Sequence, residues 1–155
     1  MGSFFGAFLR RPAEVGAIAP SSRSLARRMV AGMELASARC VVEYGPGTGA
    51  FTREILARIG PETHLVAIEK NPEFIPVLHE RFPALDVVEA SAEELPRLLA
   101  ERGFEQADYI VSGLPYTVLS WELVERIIAV SRERLRPGGL FNTVQYYSSY
   151  VFMPA

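Results

Sequence analysis

Glu43-Tyr44-Gly45-Pro46-Gly47-Thr48-Gly49 decides how the rest of the chain is read. It follows the apolar run Cys40-Val41-Val42, which reads as a buried strand, and precedes Phe51–Ile59, which reads as a helix. A glycine turn between strand and helix lets backbone N–H groups approach a ligand closely, because glycine lacks a Cβ and takes positive φ. The spacing Gly45-x-Gly47-x-Gly49 is not the G-x-G-x-x-G of a dinucleotide site. It also lacks the Lys-Ser/Thr ending of a triphosphate loop. The carboxylate of Glu43 just ahead of the glycines suits a ligand that carries positive charge.

Alternation extends outward from this loop. Strand 40–44 leads to helix 50–59, and strand 64–69 to a helix opened by Asn71-Pro72, a cap residue followed by proline at the first helical position. Strand 85–89 leads to Ser91-Ala92-Glu93-Glu94, a capping-box pattern that opens helix 92–101. Strand 108–112 leads through Gly113-Leu114-Pro115-Tyr116 to helix 121–135. Pro137-Gly138-Gly139 is expected to stop that helix, and strand 140–146 follows. The pattern predicts an α/β fold, a doubly wound and mostly parallel sheet. No repeat or linker breaks residues 39–155, which read as one domain.

Residues 1–38 read differently. Phe4, Phe5, Phe8 and Leu9 would share one helical face, followed by Arg10 and Arg11. Pro20-Ser21-Ser22 then opens a helix through about Met33, capped by Ser21 or Ser22 and carrying Arg23, Arg27 and Arg28. Glu14 is the single acid within residues 1–32, so the head of the chain is basic although the formal net charge is -2. An aromatic face beside arginines suits an anionic membrane surface, and a lid on the protein's own domain is the plainer reading.

Composition narrows the class. The 155 residues suffice for one domain with a real core, and 49% hydrophobic content argues against disorder. The total charge gives no reason to expect nucleic acid. Cys40 stands alone, so no intrachain disulfide forms, which is compatible with a reducing compartment. No apolar run approaches the roughly 20 residues of a spanning helix. These features point to a cytoplasmic protein that touches a membrane peripherally. His64 and His79 are far apart and no Cys/His spacing suggests zinc, so no metal is expected.

The remaining candidates sit at strand ends. Glu69 lies 20 residues beyond Gly49, where a carboxylate can accept both hydroxyls of a ribose, with Lys70 beside it. Ser91-Ala92-Glu93 follows the third strand, where an adenine ring would lie; Ser91 either bonds that ring or caps its own helix. Ser112-Gly113-Leu114-Pro115-Tyr116 ends the fourth strand. Proline holds Leu114 extended, which can aim carbonyls at an amine, and Tyr116 offers a π face to a cationic nitrogen. Trp121, Tyr146, Tyr147 and Tyr150 either wall the site or pack elsewhere. A ribose, an adenine and a positive charge together describe S-adenosylmethionine.

With these motifs in order over residues 40–146, the chain resembles the class I S-adenosylmethionine-dependent methyltransferases. Two branches share the pattern. The rRNA adenine dimethyltransferases read Asn-Leu-Pro-Tyr in the fourth motif, where this chain has Gly113. The bacterial phospholipid N-methyltransferases are similar at Ser-Gly-Leu-Pro-aromatic and in a front segment like Phe8-Leu9-Arg10-Arg11-Pro12 and Val15–Ser22. The second resemblance implies a Rossmann-like fold and methylation of phosphatidylethanolamine towards phosphatidylcholine, with Gly113, Leu114 and Tyr116 serving the transfer. It implies that Glu43, Gly45, Gly47, Gly49, Glu69, Lys70, Ser91, Ala92, Glu93 and Ser112 hold the methyl donor. Phe4, Phe5, Phe8, Arg10, Arg11, Arg23 and Arg27 would then face the lipid. Methylation of an rRNA adenine, a small-molecule methyltransferase with a lid, and a binding module without turnover are the rivals. Such domains usually continue past the fifth strand with a helix and two more strands, so these C-terminal strands are expected to be missing, leaving a fragment or a covered edge.

Overall fold

Strands covered on both faces need apolar residues at every position, not at alternate ones. The computed structural model, which describes residues 23–144, shows this directly. β1 (Cys40–Tyr44) is buried at all of its positions, and β2 (His64–Glu69) and β4 (Ala107–Ser112) nearly so. With β3 (Asp86–Glu89) and β5 (Leu135–Thr143) they form a fully parallel sheet in the order β3-β2-β1-β4-β5. The predicted doubly wound α/β architecture is thus observed.

Helices α1 (Arg23–Met29), α2 (Ala50–Leu56), α3 (Phe74–Arg81), α4 (Leu95–Glu101) and α5 (Trp121–Arg134) complete the described fold. One core joins α1, α2 and α3 to the sheet through Met29, Phe51, Ile55, Leu78, Val41 and Val111. The other joins α4 and α5 through Leu95, Leu98, Leu99, Ile127, Val42 and Ile110. Tyr44 reaches across this second core, its hydroxyl 2.8 Å from the Ser131 hydroxyl. Ser131 in turn donates to the Ile127 carbonyl, which ties β1 to α5. At the amino edge Asp86 accepts from His64 Nε2 at 2.7 Å and from Arg102 Nη2 at 2.7 Å. The Arg102 guanidinium holds the Asp86 carboxyl below its ordinary range.

Element boundaries depart from expectation in several places. α1 ends at Met29, short of Met33, and α2 ends at Leu56, short of Ile59. α3 begins at Phe74, because Asn71 Oδ1 accepts from the Glu73 N–H at 3.0 Å and makes residues 71–73 a turn of their own. The segment after Ser91 starts as a 3-10 turn, Ala92–Glu94, before α4. The largest departure is at β5. Helix α5 stops at Arg134 and the strand starts at once, so Pro137-Gly138-Gly139 does not end the helix. Those residues form an irregularity inside the strand: Leu135 pairs with Ala107, and pairing resumes with Leu140 opposite Tyr109. Gly139 fits because an added Cβ would lie 2.6 Å from the Asp108 carbonyl.

β5 stands at the edge of the described sheet. Phe4, Phe5, Phe8, Arg10, Arg11, Ser21, Ser22, Tyr146, Tyr147 and Tyr150 lie outside the described residues. Among the described residues no helix is long and apolar enough to cross a membrane.

Candidate active site

The chain leaves β1 towards β2 and β3 and later returns to the other side of β1 through β4. The carboxyl ends of β1 and β4 therefore flank a topological switch point, where open α/β sheets bind ligands. Register brings the predicted residues to this edge. Tyr44 is aligned with Ile68 and with Ser112, and Glu69 with Glu89.

The glycine loop is held from both sides. The Gly45 N–H donates to the Ile68 carbonyl at 2.9 Å, and the Gly113 N–H donates to the Tyr44 carbonyl at 2.8 Å. Arg81, at the end of α3, donates from Nη1 to the Thr48 carbonyl at 2.6 Å. Gly45, Gly47 and Gly49 take φ of 62°, 56° and 90°, the left-handed region that favours glycine. Gly47 differs from its neighbours in facing open space, with nothing within 4 Å of a Cβ built there.

Glu69 is the polar centre of the site. It is 4% exposed, and its two oxygens accept from the Gly47 N–H at 3.0 Å and the Asn71 N–H at 2.8 Å. Burial raises its pKa, while the N–H groups of Asn71, Gly47 and Lys70 pull it back. A carboxylate fixed beside an open glycine, with lone pairs left over, is a ready acceptor for a vicinal diol. The Lys70 side chain is exposed.

Glu43 lies underneath the loop and is fully buried. Its Oε2 accepts from the Thr52 hydroxyl at 2.7 Å, and its Oε1 has no partner. Burial, with the Glu69 charge in support, pushes its pKa from 4.5 to about 8. The folded state therefore keeps a proton that the unfolded chain releases above pH 4.5. Stability attributable to Glu43 is complete below that pH, falls as pH rises towards 8, and levels off beyond. Glu43→Gln is expected to flatten this decline in melts taken across the same window; an unchanged slope would show that Glu43 is not its source.

The other candidates are placed as follows. Ser91 and Glu94 form the expected capping box, with the Ser91 N–H donating to Glu94 Oε1 at 3.0 Å. Ala92 is buried, and Glu93 pairs with Arg126 of α5 at 2.6 Å. Ser112 is buried at the end of β4, its hydroxyl 2.8 Å from the Tyr116 hydroxyl. Burial keeps the Tyr116 phenol above its ordinary pKa, so it stays protonated at neutral pH. The Leu114 carbonyl accepts from the Tyr116 N–H at 3.0 Å, leaving one lone pair. Leu114 lies against Gly45, and a Cβ added to Gly113 would meet the Gly45 carbonyl at 2.9 Å. Loop and fourth motif thus fit each other through two glycines.

Several partners escape a sequence reading. Arg81 on Thr48, and Phe82 against Gly49, arise from packing across 33 residues of chain and have no local signature. Thr52 under Glu43 is closer to legible, since it sits on the first turn of the helix that follows the loop. Arg23 and Arg27 are exposed on α1, and Arg27 lies 3.7 Å from Glu54.

Comparison with known proteins agrees with this geometry. Residues 41–139 match the family model described as a methyltransferase domain. An ornithine lipid N-methyltransferase of Singulisphaera acidiphila is 38% identical over 91% of this chain and 75% of its own length. A ribosomal RNA small subunit methyltransferase A of Sinorhizobium fredii is 41% identical, but over 56% of this chain and 30% of its own length. Among solved structures, an O-methyltransferase from Bacillus cereus in complex with SAH superposes with a TM-score of 0.65 at 14% identity, covering 88% of this chain and 63% of that one. That likeness shows the fold. The open Gly47 beside the buried Glu69 carboxylate suits S-adenosylmethionine, the donor of this family. Glu43, buried beneath the loop and protonated at neutral pH, does not present the ligand-facing charge expected of it. The chain belongs to the class I S-adenosylmethionine-dependent methyltransferases.

Proposed function

We propose that the protein methylates the amine of a membrane lipid, with phosphatidylethanolamine as the acceptor and phosphatidylcholine as the end of the series. The observation that carries this reading is the 38% identity, across 91% of the chain, to a protein named for lipid N-methylation. That relative's name also favours a second acceptor, ornithine lipid, which presents an amine to the same site. The packing of Gly113 supports a lipid over an RNA base. The rRNA branch has asparagine there, and this loop has no room for a side chain.

When bound, S-adenosylmethionine supplies a methyl group on a positively charged sulfur, open to direct displacement by a nitrogen lone pair. Gly45, Gly47, Gly49 and Glu69 would hold it, with Ser91, Ala92 and Glu93 on the adenine side and Ser112 next to the reacting end. The chain contributes alignment above all. The Leu114 carbonyl keeps a lone pair for the acceptor amine, and the half-buried Tyr116 ring shelters the methylated cation. No histidine serves as base: His64 starts β2 at the opposite edge and pairs with Asp86, and His79 is exposed on α3. Partial desolvation at the crevice favours the neutral amine, whose proton leaves to water. The protein would work at the membrane surface from the cytoplasmic side, with Arg23 and Arg27, and Phe4, Phe5, Phe8, Arg10 and Arg11 ahead of them, towards the lipid.

The test compares initial rates on vesicles of phosphatidylethanolamine, vesicles containing ornithine lipid, and structured RNA. Phosphatidylethanolamine is expected to be the best acceptor. A faster rate on ornithine lipid would move the acceptor to the second reading, and methylation of RNA alone would overturn both.

A further inference from the structure

The segment after the fourth motif has inward and outward apolar residues, and the outward ones lack a structural reason. Leu114, Tyr116, Leu119 and Leu123 pack against the core shared by α4 and α5. Ser120 caps α5 by accepting from the Leu123 N–H at 3.3 Å, so the geometry here is fixed. Val118 and Trp121 point the other way, 47% and 70% exposed, and Trp121 is the most exposed large apolar residue among those described. A tryptophan left in water at a helix start forgoes burial of a large ring, which suits a surface that meets an apolar partner. The patch lies on the segment joining Tyr116 to α5, on the rim of the donor crevice.

The opposite flank of the crevice is basic. Asn142 donates to the Met29 carbonyl at 2.9 Å, Gly32 approaches Leu140, and the Tyr109 hydroxyl accepts from the Glu34 N–H at 3.2 Å. Leu25 and Arg28 of α1 line one cavity with Asn142, Thr143 and Val144 at the carboxyl end of β5. α1 therefore lies beside the carboxyl edge, with exposed Arg23 at its start. Apolar Val118 and Trp121 thus rim one side of the crevice, and Arg23 stands on the other. A surface that carries tryptophan and arginine together suits the boundary between headgroups and acyl chains of an anionic bilayer.

We infer that Val118 and Trp121 form an insertion rim that seats the mouth of the donor crevice on a lipid bilayer, while Arg23 meets anionic headgroups on the other flank. The inference rests on the lipid reading above and adds to it the surface that brings headgroup and donor together. A lipid amine reaches the carboxyl edge only when that edge lies against the membrane.

Trp121 is the sole tryptophan of the chain, so its emission reports on this rim alone. The full chain is mixed with vesicles of phosphatidylethanolamine and an anionic phospholipid. Emission is expected to shift to the blue and to be quenched by lipids brominated on the acyl chain. Trp121→Ala is expected to weaken vesicle partitioning, read by sedimentation, about tenfold. It should slow methylation of vesicles while leaving that of a short-chain, singly dispersed phosphatidylethanolamine unchanged. Vesicles that are methylated while Trp121 emission stays unshifted and unquenched would overturn the rim and leave the lipid reading standing. Failure to methylate either form, and ornithine lipid in vesicles as well, would remove the lipid reading itself. Emission that responds to structured RNA and not to vesicles would overturn both.

Discussion

Glu69→Ala is expected to weaken S-adenosylmethionine binding by about 100-fold or more. The carboxylate does two jobs at once. It accepts from the Gly47 N–H at 3.0 Å and the Asn71 N–H at 2.8 Å, which fixes the loop against β2. Its remaining lone pairs are the acceptors proposed for the ribose hydroxyls. A hydrogen bond to a charged group contributes roughly 1.5–3 kcal/mol, and loss of two such bonds gives at least about 3 kcal/mol. At about 1.4 kcal/mol per tenfold this is two orders of magnitude. Titration calorimetry with donor or with its demethylated product measures the change, and a melt of the free protein separates lost affinity from lost fold. Unchanged affinity in a folded variant would remove Glu69 from the ribose site.

Gly113→Asn is expected to destabilise the protein by about 1–3 kcal/mol, as overpacking does, and to cut methyl transfer by more than about tenfold through displacement of the loop. The clash is with backbone, which cannot rotate aside as a side chain can. A Cβ at Gly113 would lie 2.9 Å from the Gly45 carbonyl and 3.5 Å from both the Tyr44 carbonyl and the Phe51 ring. The Gly113 N–H is meanwhile committed to the Tyr44 carbonyl at 2.8 Å, so the residue cannot swing away without breaking that bond. The effect should be graded, with Gly113→Ala milder than Gly113→Asn in both melting temperature and rate. A fully stable Gly113→Asn that gains activity on RNA would show that the loop has room and that this residue alone selects the acceptor.

The parts of this fold that could be read from sequence are those governed by local rules. Val41-Val42, Leu65–Ile68 and Tyr109–Val111 are unbroken apolar runs because both faces of their strands are covered, and their ends were placed to within a residue or so. β5 lacks that signal. It is an edge strand with half-exposed residues, and its Pro137-Gly138-Gly139 has the composition of a turn although the sheet accommodates it as an irregularity. Glu69 and the glycine loop were legible because each sits at a fixed offset from a strand end. The clasp of Arg81 on Thr48 and the pairing of Glu93 with Arg126 were not, since each depends on how a helix comes to lie over the sheet. The contact of Leu114 with Gly45 was not either, since it depends on β1 and β4 being neighbours. Exposure of Trp121 belongs to the same class: its position at a helix start was legible, its lack of cover was not.

The donor is that of the family, and Glu69 beside the open Gly47 is the site proposed for it. The acceptor is a proposal that rests on one relative and one glycine. The most direct measurement of the account is a single-turnover reaction of the full chain with methyl-labelled S-adenosylmethionine and phosphatidylethanolamine vesicles, in the presence of structured RNA. Headgroups are then released from the extracted lipid and examined by mass spectrometry. Label on the ethanolamine nitrogen, with none in RNA, is the predicted result. Label recovered in RNA and absent from every lipid headgroup would contradict it.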